Sequence, residues 1–535
     1  MALNSVTFLT FLAIVIFVYY IVPKRFQWFV LLVASYGFYL SSGIPQVAYI
    51  ISSTLFTYGA GRWMQKIRND FQNKLTTLGN EATKEQKQEM KKGVTRRIRT
   101  IQVLTVLVCL GVLAYVKYLN FFIGNLNDLF GFFKWDVKMP LVNVLVPLGL
   151  SYYTFNSIGY IIDIGRGKQE AEKHLGKYAL FVSFFPSIVQ GPLNRFCDLG
   201  EQLKQPHKIS YENLKYGAQL ILFGLFKKMV IADRVSAITM NVFVPSTSAY
   251  NGGQILFGVL AYSLQIYCDF SGGTDITRGA AQMMGIDLPL NFERPFFATS
   301  MADFWRRWHM SLGAWMREYV FYPVMLCKPV SKLSKTMRQR HGAYWGKMVP
   351  SVAAPMVVFF LIGIWHGLTW QYIVNGLYNA LLISSSVAMT PVFQKMIKIT
   401  KVDPNTFSFR LFQMLRTFVL LCISRIIVKA PSLHDAGRMI KSIFTNFDIG
   451  FITGMDGQMF KMGLSLKEIV LIMICVLALL VIGILQENGV KIRETLAKQN
   501  VVFRWAIMYL LIFAIIIFGM YGPGYDADAF IYGGF

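Results

Sequence analysis

Apolar stretches near bilayer length recur along this chain, separated by short polar or basic segments. They predict membrane-crossing helices, because an α-helix needs about 20 apolar residues to span the hydrocarbon core. Asn4 to Val22 is the first, followed at once by Pro23-Lys24-Arg25. Phe26 to Leu40 returns, Ser41 to Pro45 turns, and Gln46 to Gly61 crosses again. Arg62 to Arg99 reads as a long polar loop in which Lys and Arg outnumber Asp and Glu. Basic residues collect on the cytoplasmic side, so two separate segments, 23–25 and 62–99, agree on orientation. Met1 to Leu9 carries no basic residue, so the first helix is expected to be retained rather than cleaved, with its N-terminus outside.

Thr100 to Tyr118 predicts a further span, and Val144 to Ile164 one broken by Pro147, Gly149 and Gly159. Leu180 to Val189 is too short to cross and reads as re-entrant or interfacial. Tyr216 to Ala232 and Gln254 to Phe270 are the next apolar segments. In Ala302 to Val324, Trp305, Trp308, Leu312, Trp315 and Tyr319 recur at spacings of three and four, one stripe of a basic amphipathic helix. Lys328 to Lys347 reads as a second basic cytoplasmic loop. Met348 to Gln394 then holds no Asp, Glu, Lys or Arg, a length sufficient to cross and return. Phe407 to Val428, Ile469 to Leu485 and Phe503 to Tyr521 complete the expected spans. Pro431 to Leu464 reads as a polar cap, and the acidic tail, with no basic residue after Arg504, is placed outside.

Composition agrees. Of 535 residues 54% are hydrophobic and only 15% charged, where a soluble domain carries roughly 25% charged. The expected class is an all-α, multi-pass protein of the plasma membrane. The net charge of +25 is accounted for by basic cytoplasmic segments. No basic stripe with interleaved aromatics lies on a soluble domain, which excludes nucleic acid as a partner. The six cysteines and six histidines show no metal-ligand spacing, so no metal is expected.

The candidate chemistry lies in the uncharged stretch, at Trp365-His366-Gly367. An ionisable group in a membrane segment is expensive and marks a functional site by default. Gly363 and Gly367 flank His366 and allow a backbone or a ligand to approach. A desolvated neutral imidazole suits a general base acting on a hydroxyl. The alternative is a histidine hydrogen-bonded between helices. His309, in Asp303-Phe304-Trp305-Arg306-Arg307-Trp308-His309-Met310-Ser311-Leu312, taken alone reads more readily as an interfacial histidine facing solvent, and only the uncharged His366 segment downstream turns the pair toward chemistry.

Together with these, ordered blocks resemble the membrane-bound O-acyltransferases, in the bacterial branch of alginate O-acetyltransferase and teichoic acid D-alanyl transferase. The blocks are Val146 to Phe155, Phe185-Pro186, Gly191 to Arg195, Gly224 to Lys228, Asp269 to Gly272, Leu288 to Phe292, Asp303 to Leu312 and Trp365-His366-Gly367. The chain departs from the family pattern at Gly273, at Met310, and after Tyr322-Pro323, where Val324-Met325-Leu326-Cys327 replaces the Leu-Gly-Gly-Asn of alginate-type members.

The resemblance implies a ring of helices around a central funnel with short re-entrant and amphipathic helices. It places the whole chain, 1–535, in one acyltransferase domain: N-terminal helices 1–143, catalytic core 144–390, C-terminal helices 391–535. His366 and His309 would be catalytic; Trp305, Trp308, Ser311, Asn291, Asp269 and Trp365 would contact substrate. No tightly bound cofactor is implied. The donor would be an acyl thioester, acetyl-CoA or a phosphopantetheine carrier protein, and the acceptor a polysaccharide or teichoic acid. An extracytoplasmic acyltransferase partner would complete transfer to the exported polymer. O-acetylation of a cell-envelope polysaccharide leads; D-alanylation is the second reading. A lipid or polysaccharide transporter is the rival of another class, and it predicts inverted repeats and paired intramembrane charges that the chain lacks.

Overall fold

The computed structural model describes residues 1–78, 83–244, 250–450, 462–522 and 525. Helices begin where the sequence supplies caps. The Ser5 hydroxyl accepts from the Phe8 N–H at 3.1 Å and opens α1, Val6–Ile21. At 16 residues, α1 is shorter than the span expected there. After α2, Gln27–Leu40, comes α3, Ile44–Leu78. A Thr83–Gln86 capping box opens α4, Lys84–Phe132. The expected polar loop 62–99 is thus largely helix, running on from two apolar segments. Its Lys, Glu, Gln and Met residues are strong helix formers, and polarity was mistaken for irregularity.

Gly149, at φ 67°, precedes α5, Leu150–Gly165. The expected break there is real, whereas Gly159 lies inside a continuous helix. Next come α6, Leu175–Ser183; α7, Tyr211–Leu225, prolonged by a π-helical turn Phe226–Ala232; α8, Asp233–Val242; and α9, Gly252–Met283. The segment read as one amphipathic helix is broken into α10, Met301–Arg307, and α11, Met310–Met316, with further short turns to Leu326. The second basic loop is largely α12, Lys328–His341.

The uncharged hairpin is α13, Ala343–His366, and α14, Trp370–Ala388, with α15, Thr390–Thr400, bent by 59° from α14. The remainder is α16, Phe407–Lys429; α17, Leu433–Thr445, in the expected polar cap; α18, Leu466–Glu487; and α19, Val501–Phe518. The rest of that cap, 451–461, and the acidic tail with Asp526 and Asp528 lie outside the described residues.

Among the described residues, six helices are long and apolar enough to cross a membrane (α4, α9, α13, α16, α18 and α19), and α14 with α15 adds a bent seventh. Only 11% of the apolar window of α18 and 6% of that of α19 is buried within the protein. Apolar faces that open need lipid around them. This is an all-α, multi-pass membrane protein.

The chain forms two compact units, Met1–Gly217 with Ala280–Pro289, and Ala218–Gly279 with Leu290–Phe535. In the first, Phe8 packs edge to face on Phe38 and Phe11 on Phe185, with Phe38 and Phe185 tilted against each other, and the Arg195 guanidinium pairs with buried Asp163 at 3.3 Å. In the second, α7 and α9 cross at a glycine pair. A Cβ on Gly224 would lie 2.6 Å from the Gly272 carbonyl oxygen, and one on Gly272 would lie 2.8 Å from that of Gly224. Beside the crossing, Lys228 is held between Asp233 and Asp269, both at 2.7 Å, and Lys227 meets Asp275 at 2.6 Å. Buried charges persist where partnered in this way, and since Asp269 and Asp275 lie on α9, a helix long and apolar enough to cross a membrane, the expected lack of paired charges in membrane segments is corrected here.

Candidate active site

All the histidine chemistry lies in the second unit and begins with the break between α10 and α11. Ser300 caps α10, accepting from the Asp303 N–H at 3.1 Å. The helix stops at Arg307, and His309 sits at φ 47°, ψ 53°. Left-handed backbone at a non-glycine residue costs energy and persists only where its surroundings impose it. Here residues 291–293 impose it. The Glu293 N–H donates to the Arg307 carbonyl at 2.9 Å, and the Met310 N–H to the Asn291 carbonyl at 3.0 Å. Phe292 and Trp308 form an antiparallel bridge.

The Asn291 side chain then fixes the histidine. Its Oδ1 accepts from the Ser311 backbone N–H at 3.1 Å and the Ser311 hydroxyl at 2.9 Å, and lies 3.1 Å from His309 Nδ1. A backbone N–H can only donate, so the amide oxygen must face it. The same oxygen requires the proton of neutral His309 on Nδ1, leaving Nε2 as the basic nitrogen. Phe270 stands edge-on to the ring at 4.8 Å.

Trp365 joins the two histidines. Its ring centre lies 6.0 Å from that of His309 and 4.6 Å from that of His366. His366 is the last residue of α13 and stacks on Tyr372 at 5.9 Å. Of the two glycines expected to admit close approach, Gly363 meets backbone and Gly367 a ring: a Cβ on Gly363 would stand 2.6 Å from the Tyr372 carbonyl oxygen, and one on Gly367 3.0 Å from the Tyr372 side chain, while on the facing helix one on Gly376 would stand 2.5 Å from the Phe359 carbonyl oxygen. The backbones of α13 and α14 touch there, one turn before His366.

His366 opens on a cavity of about 40 Å³ walled by Phe304, Trp305, Trp308, Phe359, Asn375, Asn379, Ser424 and Arg425, among others. Of the residues singled out from sequence, His366, Trp305 and Trp308 line it. The Trp305 indole N–H donates to Asn379 Oδ1 at 3.1 Å, and Trp308 is 2% exposed. His309, Trp365, Asn291 and Ser311 form the linked group just described and do not line the cavity. Asp269 stands apart, in its ion pair with Lys228. Sequence reasoning missed Asn375, Asn379, Ser424 and Arg425. Asn375 and Asn379 repeat at i, i+4 inside the uncharged stretch, and that signal could have found them.

Residues 108–424 match the family model for membrane-bound O-acyltransferases. The chain belongs to the membrane-bound O-acyltransferase family. A Pseudomonas syringae pv. tomato protein named "Probable alginate O-acetylase AlgI" is 30% identical over 446 residues, 83% of this chain and 74% of that one. A peptidoglycan O-acetyltransferase of Helicobacter pylori is 27% identical over 370 residues, 64% of each. A teichoic acid D-alanyltransferase of Bacillus subtilis is 31% identical over 300 residues, 55% of this chain and 71% of the relative. The transporter reading is set aside on this membership.

An O-acyltransferase moves an acyl group to a hydroxyl. The chemistry needs a base for the hydroxyl proton and a stabiliser for the carbonyl oxygen as it gains charge. An imidazole on a small, aromatic-walled cavity can serve as the first. The Trp365 indole stands between the two imidazoles.

Proposed function

We infer that this O-acyltransferase acetylates hydroxyls of a cell-envelope or exported polysaccharide, taking the acyl group from a cytoplasmic thioester, with His366 as general base. The observation that carries the reading is the placement of His366. It ends an uncharged membrane hairpin and faces the aromatic-walled cavity. In the transfer, His366 takes the acceptor proton as the hydroxyl oxygen attacks the acyl carbon. His309, held by Asn291, orients the acceptor from behind Trp365. The donor is acetyl-CoA or a phosphopantetheine carrier protein; both are anionic and suit the basic segments of α3, α4 and α12 on the cytoplasmic face. A funnel from that face would lead the thioester to the cavity, and an extracytoplasmic partner would carry the acyl group on.

Acetyl transfer is favoured because the acetylase relative aligns over 83% of the chain and the D-alanyl transferase over 55%. D-alanylation is kept as a second reading on a specific observation: after Tyr322-Pro323 the chain lacks Leu-Gly-Gly-Asn.

The deciding experiment uses purified protein in nanodiscs with radiolabelled acetyl-CoA, acetyl-carrier or D-alanyl-carrier, and oligouronate or glycerol-phosphate oligomer as acceptor. His366→Gln should lower transfer by ~10²–10⁴-fold without changing detergent-stable yield. Near-normal transfer by this variant would remove His366 as the base.

A further inference from the structure

Two short helices flank the open end of the α13–α14 hairpin, α12 before it and α15 after it, and neither buries a residue. The Ser334 hydroxyl of α12 donates to the Gly346 carbonyl at 2.6 Å, and a Cβ on Gly346 would stand 2.6 Å from Arg338 Cβ. α12 therefore packs on the first turns of α13. The Tyr344 hydroxyl, also at the start of α13, donates to the Ala388 carbonyl at the end of α14 at 2.7 Å. The start of α13 and the end of α14 are thus level. α14 has 19 residues, about 28 Å of helix at ~1.5 Å each, close to the ~30 Å of a hydrocarbon core. The chain has used its crossing length by Ala388, and just beyond it bends by 59° into α15.

α15 is two-sided. Val392, Phe393, Met396 and Ile399 form an exposed apolar face, and exposed Lys395 and Lys398 fall opposite it at 100° per residue. On α12, Lys332, Lys335, Arg338 and Arg340 are exposed, as is Leu333 among them. Neither 328–347 nor 389–402 contains an Asp or Glu. Among the described residues no carboxylate pairs with any of these six cations. Tyr344 and Trp345 are exposed beside them, ring types that gather at headgroup depth. Water would suit the lysines and leave the apolar face of α15 uncovered; hydrocarbon would do the reverse. An acidic soluble partner would meet the cations and still leave that opposite face in water. A membrane surface of negative charge takes both.

We propose that α12 and α15 together form a binding surface for anionic lipid headgroups. α15 lies in the membrane interface, with its apolar face among the acyl chains and Lys395 and Lys398 at the phosphates, and the cations of α12 add to the same field. The inference does not depend on the acyl reading of the His366 site.

The test places a bimane on Met396→Cys in cysteine-free, full-length protein. The protein is reconstituted in phosphatidylcholine vesicles with a minor fraction of chain-brominated phosphatidylglycerol or, at the same fraction, chain-brominated phosphatidylcholine. Both lipids should quench the label, and the glycerol lipid should act as though roughly fivefold more concentrated, the worth of about one basic residue at a charged surface. Raising salt from ~0.1 M to ~1 M shortens the screening length from ~10 Å to ~3 Å and should shrink the difference. Lys332→Gln, Lys335→Gln, Lys395→Gln and Lys398→Gln combined should bring the two lipids close to parity, and the same four positions changed to Arg should keep the preference. A bimane on Leu477→Cys, on the exposed face of α18, should be quenched equally by both lipids. Absence of quenching at residue 396 would overturn the interfacial placement and the proposal with it. Equal quenching by both lipids in the otherwise unchanged protein, or a preference that survives the four Gln changes, would also overturn it. A surviving preference joined to a raised KM for acetyl-CoA would assign the surface to the donor instead. If the Gln protein fails to fold, the Arg protein and the salt series carry the comparison.

Discussion

His309 combines an uncommon backbone conformation with a side chain bound at one nitrogen. Asparagine tolerates left-handed backbone better than most residues, so His309→Asn separates conformation from chemistry. This variant should keep its stability within ~1 kcal/mol of wild type and lose activity by ~10²-fold or more. Melting followed by intrinsic fluorescence, and acetyl transfer, check the two halves. A loss below about threefold would reduce His309 to a shape-holding residue. Asn291→Ala strips an acceptor from three donors. It should cost ~2–4 kcal/mol, and Asn291→Asp, which keeps the oxygen, should regain most of it. Trp308 calls for a gentler probe. Its ring packs on Phe304 at 5.5 Å and Phe292 at 4.9 Å, so Trp308→Ala should cost ~3–5 kcal/mol and confuse folding with turnover. Trp308→Phe is the informative change.

At the scale of elements, the α13–α14 hairpin depends on backbone contact. Gly376→Ala would place a Cβ 2.5 Å from the Phe359 carbonyl oxygen and should cost ~1–3 kcal/mol by forcing the helices apart. Gly437→Ala, with nothing within 4 Å, is its neutral control. Differential scanning fluorimetry on the pair measures the difference. The hairpin was legible because a charge-free stretch of that length has few other uses. The α10–α11 break was not, for a definite reason. The three-and-four spacing of Trp305, Trp308, Leu312, Trp315 and Tyr319 continues straight through it. The interruption comes from backbone hydrogen bonds to residues 291–293, which no local pattern announces. Arg425 was hidden in a similar way. Arg410, Arg416 and Lys429 share its helix, and only burial singles it out.

For the whole molecule, orientation is the open prediction. Single cysteines placed at Lys92 and Lys335 of a cysteine-free protein should resist an impermeant thiol reagent in intact cells and react after lysis. Labelling of Lys92→Cys from outside would invert the topology. Hydropathy located the apolar stretches of α4, α9, α13, α16, α18 and α19 but nominated more spans than the six or seven helices that are long and apolar enough among the described residues, and the helical continuation of α3 and α4 beyond their apolar parts was not readable, because polar helix and polar loop share a composition.

The carboxylate of Glu487, at the end of α18, lies 2.6 Å from Arg294 Nε and 3.0 Å from Arg307 Nη1. It thereby joins both sides of the strained turn at His309. Some 180 residues of chain separate Arg307 from it, and it falls outside the 108–424 family match. A chain made from its N-terminus therefore emerges with the histidine turn already synthesised and its two arginines still lacking this counter-charge. The turn is completed only when α18 arrives, so the geometry at His309 waits on a helix made long after it.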